Sequence, residues 1–304
     1  MTMERTVRIG SRKSRLAVIQ TELIAALLRS SHPGLRVEIV TMDTSGDRLK
    51  DRPLDDVGGK GLFTLELEQA LRAGGIDLSV HSLKDMTYEL PDDLPVLAYS
   101  RREDPRDALV LPQGETYRGL ERLPQGKPVG CSSLRRRMQL LDLCPGIRVE
   151  PVRGNVLTRL NKLDSGEYGA LVLAAAGLRR LGLAGRISHT FSAEEMLPAA
   201  GQGILAVQGR RGFDRELIAC ADDPDGRTAA RAERTVVAAL GCGCSSPAAA
   251  YCTVDGGTAR LRALYADPET GGRASGEVSG AREEITGLAE GLAARLRKEA
   301  SLHG

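Results

Sequence analysis

The sequence is poor in aromatic side chains and in histidine. It contains no Trp, three Phe, six Tyr and four His among 304 residues. Proteins that bind single-stranded nucleic acid stack bases on aromatic rings, so this scarcity argues against that function. The formal net charge of +2 argues in the same direction, because surfaces that bind nucleic acid are usually strongly basic. We therefore expect no nucleic-acid partner.

Long apolar runs and paired metal-ligand motifs are also missing. No stretch reaches the roughly 18 apolar residues that a membrane span needs, so we expect no membrane partner. The segment Met1–Gly10 contains no apolar core of the signal-peptide type, which predicts a cytoplasmic protein with reduced thiols. The six cysteines include no Cys-x-x-Cys pair, so we expect no metal site.

Strand and helix patterns alternate through the first two thirds of the chain. A short apolar strand is followed by a helix that Ser11 or Ser14 can cap, and the apolar residues of that helix recur with a 3.6-residue period. This alternation indicates an α/β fold built from βαβ units with largely parallel sheets. The predicted strands are Val7–Gly10, Val37–Met42, Leu78–Ser82, Val96–Ser100, Ala108–Leu111, Val129–Cys131, Arg148–Val152 and Ala170–Ala174. Further helices are predicted at Leu62–Ala73 and Leu134–Leu143, and from a cap at Asn155 to Leu163.

The pattern changes after about residue 220. A helix at Arg227–Leu240 precedes three strand segments, Ala248–Val254, Arg260–Tyr265 and Arg273–Val278, which turn residues separate as in an antiparallel meander. A helix from about residue 282 to 299 closes the chain. These features predict a separate small α+β domain.

Arginines cluster at predicted strand-to-helix junctions. Arg12, Arg135, Arg136 and Arg153 follow strands, and Arg159 lies about one turn into a helix. Such junctions lie at the carboxyl edge of a parallel sheet, where ligands of α/β folds bind. Helix N-termini already offer free N–H donors and partial positive charge, so extra arginine there is unfavourable unless an anion binds. Three such junctions in one chain favour an anion site over incidentally placed, solvated arginines.

Three further motifs carry weaker signals. Lys84 and Asp85 follow an apolar strand and suit a ligand with carboxylates and an N–H group, although an exposed ion pair explains them as well. Gly58–Gly61, which contains Lys60, lacks the spacing of a phosphate-binding loop and predicts a mobile loop. Gly201–Gly203 is not a dinucleotide fingerprint, because no acidic residue follows at the required distance.

Two cysteines, Cys242 and Cys244, lie in a glycine-rich loop between the predicted helix and the meander. A thiolate in such a loop can act as a nucleophile or as a covalent anchor. The alternative is a pair of small incidental residues, and the residues alone do not decide between the two. The other cysteines adjoin apolar runs and are expected to be buried: Cys131, Cys144, Cys220 and Cys252.

Taken together, these segments resemble the porphobilinogen deaminase family. The resemblance covers nearly the whole chain in order and weakens in the C-terminal meander and the final helix. It rests on Ile9–Ser14, Val57–Phe63, Val80–Asp85, Arg102–Asp107, Ser132–Arg136, Arg153–Asn155, Leu197–Gly203 and Gly243–Cys244.

The resemblance implies an enzyme with three domains. The first two are expected to look like the lobes of a periplasmic binding protein with the active-site cleft between them, and the third to be a small C-terminal α+β domain. The expected bounds are 1–103 with a return segment at 199–219, then 104–198, then 220–304. The implied activity is that of a transferase in porphyrin biosynthesis, which joins four porphobilinogen units into hydroxymethylbilane with release of ammonia. A monomer that passes its product transiently to uroporphyrinogen-III synthase is expected.

The resemblance also implies roles for individual residues. Cys244 is expected to anchor a dipyrromethane cofactor through a thioether, and Asp85 to be the catalytic carboxylate. The residues expected to hold the cofactor are Cys244, Lys84, Asp85, Ser133, Arg135, Arg136 and Arg153. Those expected to bind substrate are Arg12, Ser14, Lys60, Arg153, Arg159 and Arg180. Two positions depart from the family pattern, since Thr87 stands where Pro is usual and Cys242 where Gly is usual.

Two other functions explain parts of the sequence. A two-lobed anion-binding protein without catalysis accounts for the junction arginines but not for Cys244 or the third domain. A hydrolase with a cysteine nucleophile needs a histidine as base. None of the four histidines, His32, His81, His189 and His303, has a local signature that ties it to Cys244.

Overall fold

The computed structural model describes residues 5–48, 64–123, 126–242 and 247–302. These residues form two compact units, one comprising Met1–Glu103 with Ile204–Arg231 and the other Asp104–Gly203 with Ala232–Gly304. The second unit contains both an α/β sheet and the C-terminal antiparallel sheet, so the division into three domains stays a prediction. Lys60 and Cys244 lie outside the described residues.

The described ranges contain the following elements. The strands are β1 (Thr6–Arg12), β2 (Arg36–Met42), β3 (Leu78–Ser82), β4 (Val96–Tyr99), β5 (Asp107–Val110), β6 (Val129–Gly130), β7 (Val149–Glu150), β8 (Ala170–Ala174), β9 (His189–Thr190), β10 (Leu205–Gly209), β11 (Ala248–Asp255), β12 (Thr258–Ala266) and β13 (Arg273–Ala281). The α-helices are α1 (Arg15–Ser31), α2 (Ser45–Arg48), α3 (Leu65–Arg72), α4 (Leu134–Leu143), α5 (Val156–Asp164), α6 (Ala175–Arg180), α7 (Arg215–Ile218), α8 (Pro224–Ala239) and α9 (Ile285–Leu302).

The first unit is built on a five-stranded sheet in the order β2-β1-β3-β10-β4. β1 pairs in parallel with β2 and β3, whereas β10 is antiparallel to both of its neighbours. One face of β1 packs on α1, where Val7 and Ile9 share an apolar core with Leu28. On the opposite face the side chains of Leu67 and Ile76 fill the space that a Cβ at Gly10 would need. Helical segments therefore cover both faces of the sheet.

The second unit repeats this arrangement. Its α/β sheet has the order β7-β6-β8-β5-β9, with β6 parallel to β7 and β8 and with β5 antiparallel to its two neighbours. Gly130 in β6 corresponds to Gly10, because a Cβ there would lie 2.5 Å from the Leu171 side chain and 2.9 Å from that of Tyr168. In each of these two five-stranded sheets, four strands thus run in one direction and the fifth runs in the opposite direction.

The C-terminal sheet has the antiparallel order β11-β12-β13, and α9 packs against β12 and β13. This confirms the predicted meander and final helix. The side chains of Leu261 on β12 and of Ile285, Leu292 and Leu296 on α9 are buried. The two α/β sheets and this smaller sheet together confirm the predicted fold class. No helix in the described part of the chain has the length and apolar character of a membrane span.

Candidate functional site

The carboxyl ends of β1 and β3 bring three predicted site residues to one edge of the first sheet. Arg12 is the last residue of β1, and Lys84 and Asp85 lie in a 3-10 turn directly after β3. Because β1 and β3 are parallel neighbours, their carboxyl ends meet at the same edge. Ser14, rather than Ser11, caps α1 there: its Oγ accepts a hydrogen bond from Ala17 N at 3.3 Å.

The turn that carries Asp85 is anchored on both sides while its carboxylate points to solvent. Leu83 N donates to Ile204 O at 3.0 Å, Met86 N donates to Leu83 O at 3.1 Å, and both side chains are buried. Asp85 itself is exposed, and no group within the described ranges donates a hydrogen bond to its carboxylate. Thr87, at the position where the family usually has Pro, donates its hydroxyl to Glu89 O at 2.8 Å. The carboxylate therefore sits on a fixed backbone with acceptor oxygens accessible to a ligand.

A buried histidine lies beneath this edge. His81 on β3 is 6% exposed, and its Nε2 lies 2.9 Å from Ser79 Oγ. Burial, together with the nearby charge of Arg12, lowers the pKa of His81 to about 4. The imidazole is therefore neutral near pH 7 and adds no charge beside Arg12. His32 and His189 are also engaged, His32 with Leu217 O at 2.9 Å and His189 by stacking on an aromatic ring.

In the second unit, polar caps open the helices that follow the parallel strands. Ser133 Oγ accepts from Arg136 N at 3.4 Å at the start of α4, and Asn155 Oδ1 accepts from Thr158 N at 3.0 Å at the start of α5. The cap predicted at Asn155 is confirmed.

The two arginines next to the Asn155 cap differ in their contacts. Arg159 Nε donates to Gly154 O at 2.8 Å. Arg153 is half-buried, and no acceptor within the described ranges pairs with its guanidinium. Of the predicted ligands in this unit, Arg153 is therefore the one most clearly available to an anion.

Arg135 and Arg136 are instead held in a buried cluster around Asp107. Their relative exposures are 3% and 7%, and that of Asp107 is 0%. Arg136 Nη2 lies 2.8 Å from Asp107 Oδ1, and Arg135 Nη1 lies 2.8 Å from Asp107 Oδ2. The Arg135 contact is an ion pair that lacks the geometry of a regular hydrogen bond, since Oδ2 accepts none. Arg135 Nη1 also donates to Leu197 O at 2.6 Å, and Arg136 Nη1 to Val172 O at 3.3 Å.

This cluster carries a surplus of positive charge. Burial alone would raise the pKa of Asp107, but the charges of Arg135 and Arg136 outweigh it and hold that pKa far below its usual range. Asp107 is thus ionised, and one carboxylate faces two guanidinium groups. Buried charges are costly unless they are paired and hydrogen-bonded, and here Asp107 and the carbonyls of Leu197 and Val172 meet the two guanidinium groups.

The reversed strand explains why sequence reasoning missed Asp107 and expected the arginines to lie open at the edge. Asp107 is the first residue of β5, and because β5 is antiparallel to β8 this residue pairs with Ala174, the last residue of β8. The start of β5 therefore lies at the carboxyl edge of the parallel strands. An acid heading an apolar strand was the available signal. Arg180 ends α6, which follows β8, and its Nη2 donates to Gly203 O at 2.6 Å.

Surface depressions in the first unit lie at the opposite edge of its sheet. One of about 450 Å³ is lined by the start of β1, Asp77 and residues 210–214. Asp77 pairs with Arg8 and Arg210 at 3.4 and 3.3 Å, and Asp214 pairs with Arg5 at 2.8 Å. These paired charges give no specific reason to place an anion there.

Both the α/β part of the chain and its C-terminal part match models of known protein families. Residues 7–218 match the family model described as "Porphobilinogen deaminase, dipyromethane cofactor binding domain", and residues 227–299 match "Porphobilinogen deaminase, C-terminal domain". The chain belongs to the porphobilinogen deaminase family. The curated porphobilinogen deaminase of Ruminiclostridium josui is 47% identical over 297 residues, which is 97% of this chain and 99% of that protein. That of Ruminiclostridium cellulolyticum is 48% identical over 290 residues, covering 95% of this chain and 97% of the relative.

Solved structures give only a weak overall likeness. The periplasmic aliphatic sulphonate binding protein SsuA from Escherichia coli is 14% identical, with 78% of this chain and 69% of that chain covered and a TM-score of 0.39. A likeness at that level adds nothing to the fold or the function. The family matches confirm the resemblance, the enzyme class and the dipyrromethane cofactor. The roles of individual residues stay predictions.

Replacing Arg135 or Arg153 with Leu should affect the free energy of unfolding differently, because Arg135 is in a buried ion pair and Arg153, within the described residues, is not. Arg135→Leu should lower the free energy of unfolding by about 3 kcal/mol, because it breaks a buried ion pair. Arg153→Leu should change it by less than about 1 kcal/mol, because the side chain is half-buried and has no described partner. Urea unfolding of both variants measures the difference. Equal losses would contradict the contrast between the two sites.

The stability of the protein should depend on pH through His81. Its pKa is about 4 in the folded protein against 6.5 for the unperturbed group, so the unfolded chain binds more protons between these values. The stabilisation is complete above pH 6.5 and is lost as the pH falls towards 4. His81→Gln should flatten this part of the profile. Urea unfolding at several pH values tests this, and an unchanged slope in His81→Gln would refute the assignment.

Proposed function

We propose that this chain condenses porphobilinogen into hydroxymethylbilane, with release of ammonia, on a dipyrromethane linked to Cys244. The observation that carries the residue assignments is the accessible Asp85 carboxylate on its anchored turn, at the same sheet edge as Arg12. Family membership over nearly the whole chain supports the reaction class.

The charged residues of the second unit suit a group with several carboxylates. Two buried guanidinium groups share Asp107, and Arg153 has no acceptor within the described part of the chain. Arginine binds carboxylates in a fixed, bidentate geometry and keeps its charge at any physiological pH. The bound dipyrromethane supplies a pyrrole carbon to which new units are joined. The carboxylates of the dipyrromethane are proposed to bind Arg153 and to be attracted by the positive charge of Arg135 and Arg136.

Asp85 has the properties required of a group that stabilises positive charge. Porphobilinogen carries a pyrrole N–H and an aminomethyl arm, and positive charge develops on it as ammonia leaves. A carboxylate held on a fixed turn can accept a hydrogen bond from the pyrrole N–H. It can also stabilise the developing positive charge without a change in its own position. Arg12, at the same edge, is proposed to hold the substrate carboxylates, and Lys84 those of the cofactor. Ser14 and Ser133 can still donate their hydroxyl hydrogens while they cap their helices.

The arginines of the second unit are proposed to follow the growing chain. Each added porphobilinogen brings two more carboxylates, so the negative charge near the site rises as the product lengthens. Within the second unit, Arg153, Arg159 and Arg180 are the cations of the predicted set that are not fully buried. Lys60 remains a proposed substrate ligand on the strength of its family position alone.

The packing of Cys242 supports Cys244 as the anchor. Cys242 is 7% exposed, and its backbone N–H donates to Val237 O at 3.1 Å as α8 ends. A thiol buried in this way is poorly accessible to a reactant, and reactive cysteines are at least partly exposed. Of the two cysteines in the loop, Cys242 is therefore the poorer attachment point.

Location and partners are proposed on family grounds. We place the enzyme in the cytoplasm as a monomer that hands hydroxymethylbilane to uroporphyrinogen-III synthase. The four exposed or half-buried side chains at the two sheet edges, Arg12, Lys84, Asp85 and Arg153, belong to the catalytic proposal and are not assigned to a protein partner.

Asp85→Asn should keep the cofactor and lose turnover. The amide has nearly the same shape but cannot stabilise positive charge, so the rate of hydroxymethylbilane formation should fall by at least about 10²-fold. Asp92→Asn, on the same unit, should remain active. Stopped assays for the product, with intact-mass analysis of the bound cofactor, measure both quantities. Near-normal turnover in Asp85→Asn would overturn its role.

Attachment of the cofactor should require Cys244 and not Cys242. The denatured protein should carry the added mass of one dipyrromethane, and peptide mapping should place it on Cys244. Cys242→Ser should retain this mass and most activity, whereas Cys244→Ala should lose both. Added mass on Cys242, or its survival in Cys244→Ala, would show that the proposed anchor is wrong.

A further inference from the structure

The Gly201-Gln202-Gly203 motif forms a turn that directs a glutamine into the arginine cluster. Gly201 and Gly203 have φ values of +74° and +89°, in the left-handed region that glycine adopts at little cost. Gln202 N donates to Ala199 O at 2.9 Å, which closes the turn. The two glycines thus serve the backbone conformation on either side of Gln202.

The Gln202 side chain completes the hydrogen bonding around Asp107. It is 0% exposed, and its Nε2 lies 2.8 Å from Asp107 Oδ1 and 2.6 Å from Pro105 O. Its Oε1 accepts from Arg136 Nη2 at 3.4 Å. Gln202 and Arg136 therefore share one oxygen of Asp107 and also contact each other, so the position of each depends on the other two.

Other contacts of the same turn reach a second arginine and the C-terminal sheet. Gly203 O accepts from Arg180 Nη2 at 2.6 Å. Gly201 N donates to Glu233 Oε2 at 2.7 Å, and Glu233 Oε1 accepts from Cys252 N on β11 at 2.7 Å. Glu233 is itself fully buried. Three consecutive residues are thus held by the Asp107 cluster, by α6 and, through Glu233, by β11.

We propose that the turn formed by Gly201–Gly203 is a positioning element for the carboxylate-binding arginines. Through Gln202 it sets the place of Arg136 beside Asp107, and through the Gly203 carbonyl it sets the place of Arg180. The ligand class is a molecule with several carboxylates, so this inference rests on the proposed function. Gln202 does not touch the ligand and acts through the arginines.

The chemistry of residue 202 fits this role better than a purely structural one. A neutral amide can donate to Asp107 and accept from Arg136 at once, and it leaves the excess positive charge of the cluster in place. Glutamate at residue 202 has the same shape, but its carboxylate would lie against the carboxylate of Asp107, and neither group could donate a hydrogen bond to the other. A misplacement of about 1 Å in a positioning group is enough to cost about 10²-fold in rate.

Gln202→Met tests the proposal, since methionine keeps the volume of glutamine but removes its hydrogen bonds. We expect the KM for porphobilinogen to rise about 10-fold or more while the turnover number changes less, because Asp85 lies in the other unit. We also expect incomplete dipyrromethane loading by intact mass when the apoprotein is given porphobilinogen. The control is Ser188→Ala, which removes the acceptor of Leu111 N in the same unit and lowers stability without reaching the arginines. An unchanged KM and full loading in Gln202→Met would overturn the proposal.

A double-mutant cycle separates positioning from general loss of stability. Gln202→Met and Arg180→Leu should be non-additive in their effect on KM, because both act through one turn. Ser188→Ala and Arg180→Leu should be additive. If Gln202→Met fails to fold, Gly203→Ala takes its place, since it strains the φ of +89° that aims the carbonyl at Arg180. Additivity in the first cycle would refute the coupling.

The outcome for Asp85→Asn distinguishes failure of this inference from failure of the proposed function. If Asp85→Asn is inactive and Gln202→Met behaves as wild type, the turn has no positioning role and the proposed function stands. If Asp85→Asn turns over normally, the residue assignments of the proposed function fail, and a raised KM in Gln202→Met then supports the turn alone.

Discussion

One buried carboxylate organises the second unit. Asp107 is fully buried, yet it is ionised because two arginines surround it. Removing either partner would leave a charge in a medium where charges are costly, so the surrounding backbone is held to this arrangement. The carbonyls of Leu197 and Val172 accept from the same arginines, which ties α4 to β8 and to the segment before the Gly201–Gly203 turn. The geometry of Arg135 and Arg136 follows from that single acid.

The first unit uses the same strand arrangement with a different distribution of charge. Its reversed strand, β10, brings Leu205 beside Ser82 at the end of β3, as β5 brings Asp107 beside Ala174. No buried acid stands at that position; instead the turn after β3 presents Asp85 to solvent. His81 is neutral because it is buried near Arg12, so it adds no charge to that of Arg12 and Lys84 at this edge. The first unit thus presents an accessible acid at its sheet edge, whereas the second unit holds its acid buried between two arginines.

The sequence predicted local elements well and long-range pairing poorly. Periodicity and capping residues identified β3, α4 and β8 to the residue, and Asn155 as the cap of α5. Such features depend on neighbours within a few positions. The strand β10 was missed because Leu205–Val207 are a short apolar run without alternation, which periodicity does not distinguish from a buried helix segment. The burial of Arg135 and Arg136 was missed because their acidic partner, Asp107, is distant in sequence, 29 residues from Arg136. Asp107 also lies on a strand whose direction local patterns do not reveal.

The two departures from the family pattern are best understood through backbone constraint. Proline after the proposed catalytic acid would limit the backbone through its ring. Thr87 instead donates its hydroxyl hydrogen to Glu89 O, while the buried side chain of Met86 anchors the preceding residue. The turn carrying Asp85 is thus restrained by packing and by hydrogen bonds rather than by the ring of a proline. Cys242 replaces glycine without requiring an unusual backbone, because the residue with a φ of +69° after α8 is Gly241. A side chain is therefore tolerated at 242, where the thiol is buried.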